Sequence, residues 1–247
     1  MDNNKTLELL RTMRLFGMHD AFKISLESTI KEQMTQDQFL FHLVNCEWDN
    51  RNGRAVQRAI KYANFRYRAC LEEVDYTLER GIDQNQVERL ASMEFIRSHR
   101  DLFITGPTGT GKSYLATALG YRACSEGFKV LYASTARLIS SLKIAKAKGV
   151  ILNELKRIEK CDLLILDDFA MQGFDAQGRS ILMDIIEDRH SQRSTLLTSQ
   201  LPVAQWHAAI GEKTVADAVL DRLAHNALRV ELYGESVRKR KKLSTDY

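Results

Sequence analysis

The chain has 247 residues, 44% of them apolar, and a formal net charge of +4. That length can bury one large core or two modest ones, and the mild positive charge permits a nucleic-acid partner without demanding one. No apolar run approaches the roughly 20 residues that a membrane span needs, and MDNNKTLELL has no charged lead before an apolar stretch, so a cytoplasmic protein is expected. Cys46, Cys70, Cys124 and Cys161 are scattered, with no CxxC pair, which speaks against a disulfide framework or a zinc site.

The only prolines are Pro107 and Pro202, so nothing in residues 1–106 breaks a helix by that route. Apolar residues recur there at helical spacing: Leu7 and Leu10, then Phe39, Leu40, Leu43 and Val44, then Val56, Ala59, Ile60 and Ala63. TQDQ at 35–38 precedes FLFHLV and predicts a capping-box start, while Gly17, Gly53 and Gly81 suggest breaks between helices. The reading is a helical N-terminal domain over residues 1–80. From 81 to 247 the pattern changes. DLFIT (101–105), KVLYA (129–133), DLLILD (162–167) and STLLTS (194–199) have strand length, and helical stretches separate them. Strands alternating with helices predict an α/β domain built on a parallel sheet.

Between the first strand and the next helix lies GPTGTGKS: Gly106, Pro107, Thr108, Gly109, Thr110, Gly111, Lys112 and Ser113. The spacing is that of a P-loop, and the chemistry accounts for each residue type. Glycines let successive N–H groups turn inward around a phosphate, and the helix that follows aims its positive end at the same anion. Lys112 supplies charge for the β- and γ-phosphates, and the Ser113 hydroxyl is a ligand for Mg²⁺. The strand LLILDD (163–168) ends in the acids such a site needs. Asp167 is suited to the magnesium shell and Asp168 to orienting or deprotonating an attacking water. Together the two motifs point to ATP or GTP.

GPTGTGKS and LLILDDF, followed by STLLTSQLPVAQWHAAIG and TVADAVLDRLAHNALRVELYGESVRK, resemble the IstB family, helper ATPases of insertion-sequence transposition related to DnaC-type helicase loaders and to DnaA. The resemblance spans essentially the whole chain. It implies an AAA+ P-loop core preceded by a small helical domain, with ATP and Mg²⁺ as cofactors. It also implies a polar sensor at Ser199 or Gln200, an arginine finger at Arg222 acting on a neighbouring subunit, and a second sensor arginine at Arg238. From the residues alone, Arg222 equally suits an ion pair with Asp217 or Asp221 on its own helix, and Arg238 equally heads a solvated basic tail, RKRKK. Asp168, where many AAA+ proteins carry glutamate, suggests slow or partner-dependent hydrolysis.

Three basic features bear on a partner. Arg51, Arg54, Arg58 and Lys61 share one helix face, Arg66 and Arg68 follow among aromatics, and residues 50–71 contain no acid. A solvated face normally mixes signs, so contact with a phosphate backbone is the preferred reading. Lys143 and Lys146, with Lys148, fall before the acidic strand; they suit a surface cluster or, as the resemblance implies, an added helix facing DNA in a spiral assembly. The tail is a solubilising end. No base-reading side chains are identifiable, so binding to double-stranded DNA is expected to be salt-dependent and weakly sequence-specific.

The resemblance implies a homo-oligomer, spiral or ring-like and ATP-dependent, that remodels target DNA and recruits a partner transposase. A replicative helicase loader is the alternative, and the all-basic stripe argues against it. A scaffold in which hydrolysis is incidental is a third possibility. A small-molecule kinase fits poorly, since no acceptor site or arginine-rich lid is recognisable.

Overall fold

The computed structural model describes residues 2–27, 34–78 and 80–237, so Arg238 and the RKRKK segment lie outside the described residues. Two compact units divide between Arg58 and Ala59. In the first, α1 (Asn3–Thr12) and α2 (Phe16–Glu27) pack their apolar faces with the start of α3 (Gln36–Ala63) around Ala21, Phe22 and Leu43. The predicted capping box forms. Thr35 N–H donates to Gln38 Oε1 at 3.0 Å, and Gln38 N–H donates back to Thr35 Oγ1 at 3.3 Å.

Two of the three expected glycine breaks are not breaks. Gly17 sits in the first turn of α2, where a Cβ would come within 2.3 Å of the Cys46 carbonyl oxygen, so close helix packing explains it. Gly53 lies inside α3 with open space around it, and one glycine costs a long helix only about 1 kcal/mol relative to alanine. Gly81, with φ 77°, does fall in a connection. Helix α3 continues through Ala63 into the second unit and ends at Asn64 in the left-handed region. The compact division thus precedes the boundary expected near residue 80, because residues from Ala59 onward, Ala63 and Phe65 among them, bury against the second core.

The second unit is built on five parallel strands in the order β2-β3-β4-β1-β5. They are β1 (Leu102–Thr105), β2 (Val130–Ser134), β3 (Leu163–Asp167), β4 (Ser194–Ser199) and β5 (Leu228–Glu231). Alternation sends Leu102, Ile104, Val130, Tyr132, Leu163, Ile165 and Leu196 to one face. There α4 (Gln84–Ala91), α5 (Glu94–Arg97) and α6 (Lys112–Ser125) cover them. Phe103, Leu131, Leu164, Leu166 and Leu197 face the other side, with α7 (Thr135–Ala147), α8 (Ile151–Glu159), α9 (Ala176–Arg189), α10 (Trp206–Ile210) and α11 (Lys213–Ala224). Burial on both faces is why the central strands read as unbroken apolar runs. Strand β5 is not among the four strands that the sequence predicts. It is a short edge strand on which only Val230 is buried, so LRVE carries little apolar signal.

At the end of the sheet away from the strand carboxyl termini, Arg189 is 1% exposed. Its guanidinium donates to the carbonyls of Ile158, Cys161 and Ser194, tying the end of α8 to the entry of β4. Asp101 accepts the Thr195 N–H at 2.7 Å beside it. No described helix is long and apolar enough to cross a membrane.

Candidate active site

Because β3, β4 and β1 are neighbours, their carboxyl ends bring Asp167, Gln200 and the GPTGTGKS loop side by side. In a parallel sheet this is the end where ligands bind. The loop turns through positive φ at Gly106, Gly109 and Gly111 (142°, 85° and 104°) and delivers Lys112 to the first turn of α6. Thr110 Oγ1 and Lys112 Nζ both donate to the Pro107 carbonyl, at 2.9 and 2.7 Å, which holds the loop closed on itself. Arg80 supports it from outside, donating to the Thr110 carbonyl at 3.1 Å and the Asp75 carbonyl at 2.8 Å.

Asp167 is 2% exposed and gathers three hydroxyls. Ser113 donates to Oδ1 at 2.8 Å, Thr198 to the same oxygen at 2.5 Å, and Tyr132 to Oδ2 at 2.5 Å. The chain then turns sharply: Asp168 has φ 56°, and its N–H donates to Thr198 Oγ1 at 3.1 Å. Burial and the neighbouring Asp167 charge push the Asp168 carboxyl above the usual carboxylate range. Lys112, Arg66 and a hydrogen bond from Gln200 act against them. A carboxylate so poised is a better proton acceptor than a free one.

The two sensor candidates separate cleanly. Ser199 is fully buried and donates to the Phe169 carbonyl at 2.8 Å, whereas Gln200 accepts a hydrogen bond from Thr108 and bonds Asp168. Gln200 is therefore the member of the pair at the site. For Mg²⁺, the structure offers hard oxygen donors of the required kind, the Ser113 hydroxyl and the Asp167 carboxylate, already 2.8 Å apart at the mouth of the loop. The remaining positions would fall to water and phosphate.

Away from this centre, Arg222 on α11 pairs with Glu187 on α9 at 2.8 Å and donates to the Ala218 carbonyl at 3.0 Å. Its partner is thus neither Asp217 nor Asp221. Lys143 is held by Asp175, the N-cap of α9, at 2.7 Å, while Lys146 is exposed further along α7. Two helices, α7 and α8, occupy the segment for which one would suffice. Arg54, Arg58 and Lys61 are exposed along α3, and Arg51 is exposed but paired with Glu47 at 2.6 Å. A groove of about 880 Å³ in the first unit is lined by Arg14, Arg51, Arg54 and Arg58 with Trp48, which is 70% exposed. Arg66 is exposed near Asp168, apart from that row, and Arg68 is exposed.

Tyr132 and Thr198 are site residues that the motifs did not reveal. Their only signal in the sequence is a hydroxyl on a buried strand, Tyr132 midway along β2 and Thr198 one residue before the end of β4.

A five-stranded parallel sheet of this order, with a phosphate loop after β1 and an acidic pair after β3, defines an AAA+ P-loop protein. The chain belongs to the family described as IstB-like ATP binding protein, whose model matches residues 8–245. It is 42% identical over 95% of its length, and 96% of the relative's, to y4pL of Sinorhizobium fredii, a protein named for an insertion sequence and for ATP binding. It is 31% identical over 96% of its length, and 89% of the relative's, to the protein of Pseudomonas aeruginosa named for insertion sequence IS21 and ATP binding. Among solved structures, DnaI matches with a TM-score of 0.57 at 21% identity, covering 73% of this chain and 92% of that one. The DnaC helicase loader matches at 0.52 and 19%, covering 71% and 99%; at these identities the likeness is one of fold.

Proposed function

We propose that the chain is an ATP hydrolase, converting ATP and water to ADP and phosphate, that assembles on double-stranded DNA as a homo-oligomer, remodels it, and recruits a partner transposase. The observation that carries the reading is the convergence of Ser113, Asp167, Asp168 and Gln200 at the mouth of the phosphate loop, in a chain whose relatives are named for insertion sequences.

The roles follow from the chemistry of each group. Backbone N–H groups of residues 108–111 and the N-terminus of α6 would bind the phosphates, and Lys112 would bring a charge to the β- and γ-phosphates. Bound Mg²⁺, held through Ser113 and Asp167, would neutralise phosphate charge. Asp168 would take a proton from the attacking water, with Gln200 orienting it. Arg222 lies outside this cluster and is bound to Glu187, which suits a residue that serves a neighbouring subunit's site. Arg238 stays in the proposal on the resemblance alone.

Arg54, Arg58 and Lys61, with Arg66, Arg68 and Lys146, would meet the phosphate backbone; Arg51 and Lys143 could join only by leaving Glu47 and Asp175. The test is assembly on a linear duplex, followed by particle size with ATP, ADP or no nucleotide. Large complexes with ATP alone, lost in Arg222→Ala, are the expected result. A protein that ignores duplex DNA in all three conditions would end this reading.

A further inference from the structure

Immediately beyond the end of α3, Phe65 inserts between the helix of the phosphate loop and the strand beside the acidic one. Its ring centroid is 4.6 Å from that of Tyr121 on α6, nearly parallel at 23°, and 6.1 Å from that of Tyr132 on β2. The fit demands glycine at position 120. A Cβ there would stand 2.6 Å from Phe65 Cε1 and 2.8 Å from Ile165 Cδ1. Two residues on, Tyr67 stacks on Tyr114, the neighbour of Ser113, at 6.4 Å and 18°. The Tyr114 phenol in turn donates to Glu73 at 2.7 Å, so residues 65–73 are fixed along α6.

Tyr132 is the second half of the connection. It is 6% exposed in an apolar cluster, where phenylalanine would pack equally well and a buried hydroxyl is costly unless bonded. Its hydroxyl is bonded to Asp167 Oδ2, the oxygen that Ser113 and Thr198 leave alone.

We propose that Tyr132 is a positioning residue for the Asp167 carboxylate and that Phe65 sets Tyr132, so that the end of α3 is linked through two aromatic rings to the metal-holding acid. This rests on the ATP and magnesium reading above and deepens it. A carboxylate held by donors on both oxygens keeps one rotational orientation. Freed on one side, the group rotates and the geometry offered to a cation degrades.

The test uses Tyr132→Phe, Phe65→Leu and the double variant. Binding of fluorescent ribose-labelled ATP is titrated with Mg²⁺, alongside the magnesium-free affinity for the same nucleotide and the melting temperature. Tyr132→Phe is expected to raise the magnesium midpoint about tenfold, with magnesium-free affinity and melting temperature close to wild type. Phe65→Leu should shift the midpoint in the same direction by less, and the double variant no further than Tyr132→Phe alone.

An unchanged midpoint in Tyr132→Phe overturns the positioning role. Additive shifts in the double variant overturn the link through Phe65. Loss of magnesium-free binding together with a fall in melting temperature overturns both by making the cluster merely structural. If the wild-type protein binds no nucleotide, or does so without regard to magnesium, the reading of the site itself fails first.

Discussion

Asp168 is held in the left-handed region, which aspartate and asparagine tolerate and most side chains do not. Asp168→Asn therefore keeps the turn and removes only the proton acceptor, whereas alanine would mix strain with chemistry. Phosphate release should fall by about 10²-fold or more, while ATP binding, measured by anisotropy, persists. A variant that hydrolyses at the wild-type rate would move the base elsewhere. At this scale the sequence was legible wherever chemistry is local to a run of residues, as in GPTGTGKS and the two aspartates. Tyr132 and Thr198 were not legible, because their roles come from parallel register. Ser134 lies opposite Asp167 and Leu197 opposite Leu166, and nothing in any of these segments alone announces what its neighbour in the sheet will be.

Between elements, the pair formed by Arg222 and Glu187 joins α11 to α9 with more than half of the Glu187 side chain exposed. With the Arg222 side chain 26% exposed and Glu187 largely in solvent, the pair is partly screened and worth on the order of 1 kcal/mol, so releasing the arginine to another subunit costs little. Glu187→Gln should lower the protein concentration needed for half-maximal hydrolysis by up to about fivefold, and Arg222→Ala should abolish the concentration dependence altogether. A Glu187→Gln profile that shifts to higher concentration would argue that Glu187 itself belongs to the subunit contact.

On α3, Arg58 is exposed, so Arg58→Ala should weaken duplex binding for all sequences alike and reduce the slope of log affinity against log salt by about 1. An unaltered slope would remove Arg58 from the interface. Helix starts and the first four strands could be read from caps and apolar runs. The continuity of α3 past Gly53 and the presence of β5 could not, since a lone glycine and a half-exposed edge strand give weak local signals.

For the molecule as a whole, the far end of the sheet carries a titration. Burial pushes the Asp101 carboxyl up to about 7, against the Thr195 N–H and the Arg189 charge, which act to lower it. The folded protein therefore binds a proton that the unfolded chain releases near pH 4. Stability from this group is full below about pH 4 and is lost as the pH rises through about 7. The melting temperature of wild type relative to Asp101→Asn should accordingly decline over that window. A constant difference would mean that Asp101 stays charged in the fold.

Gly106 and Gly109 give the phosphate loop its conformational freedom, but each also lies against the segment following β5. A Cβ on Gly106 would come within 2.1 Å of the Leu232 carbonyl oxygen, and one on Gly109 within 2.1 Å of Ser236 Oγ. The Val237 N–H donates to the Gly109 carbonyl at 3.0 Å. Alanine at either position would therefore dislodge that segment as well as stiffen the loop, and a defect in such a variant would have two origins at once. Lys112→Ala, whose side chain bonds within the loop, is the cleaner way to ask what nucleotide binding alone contributes.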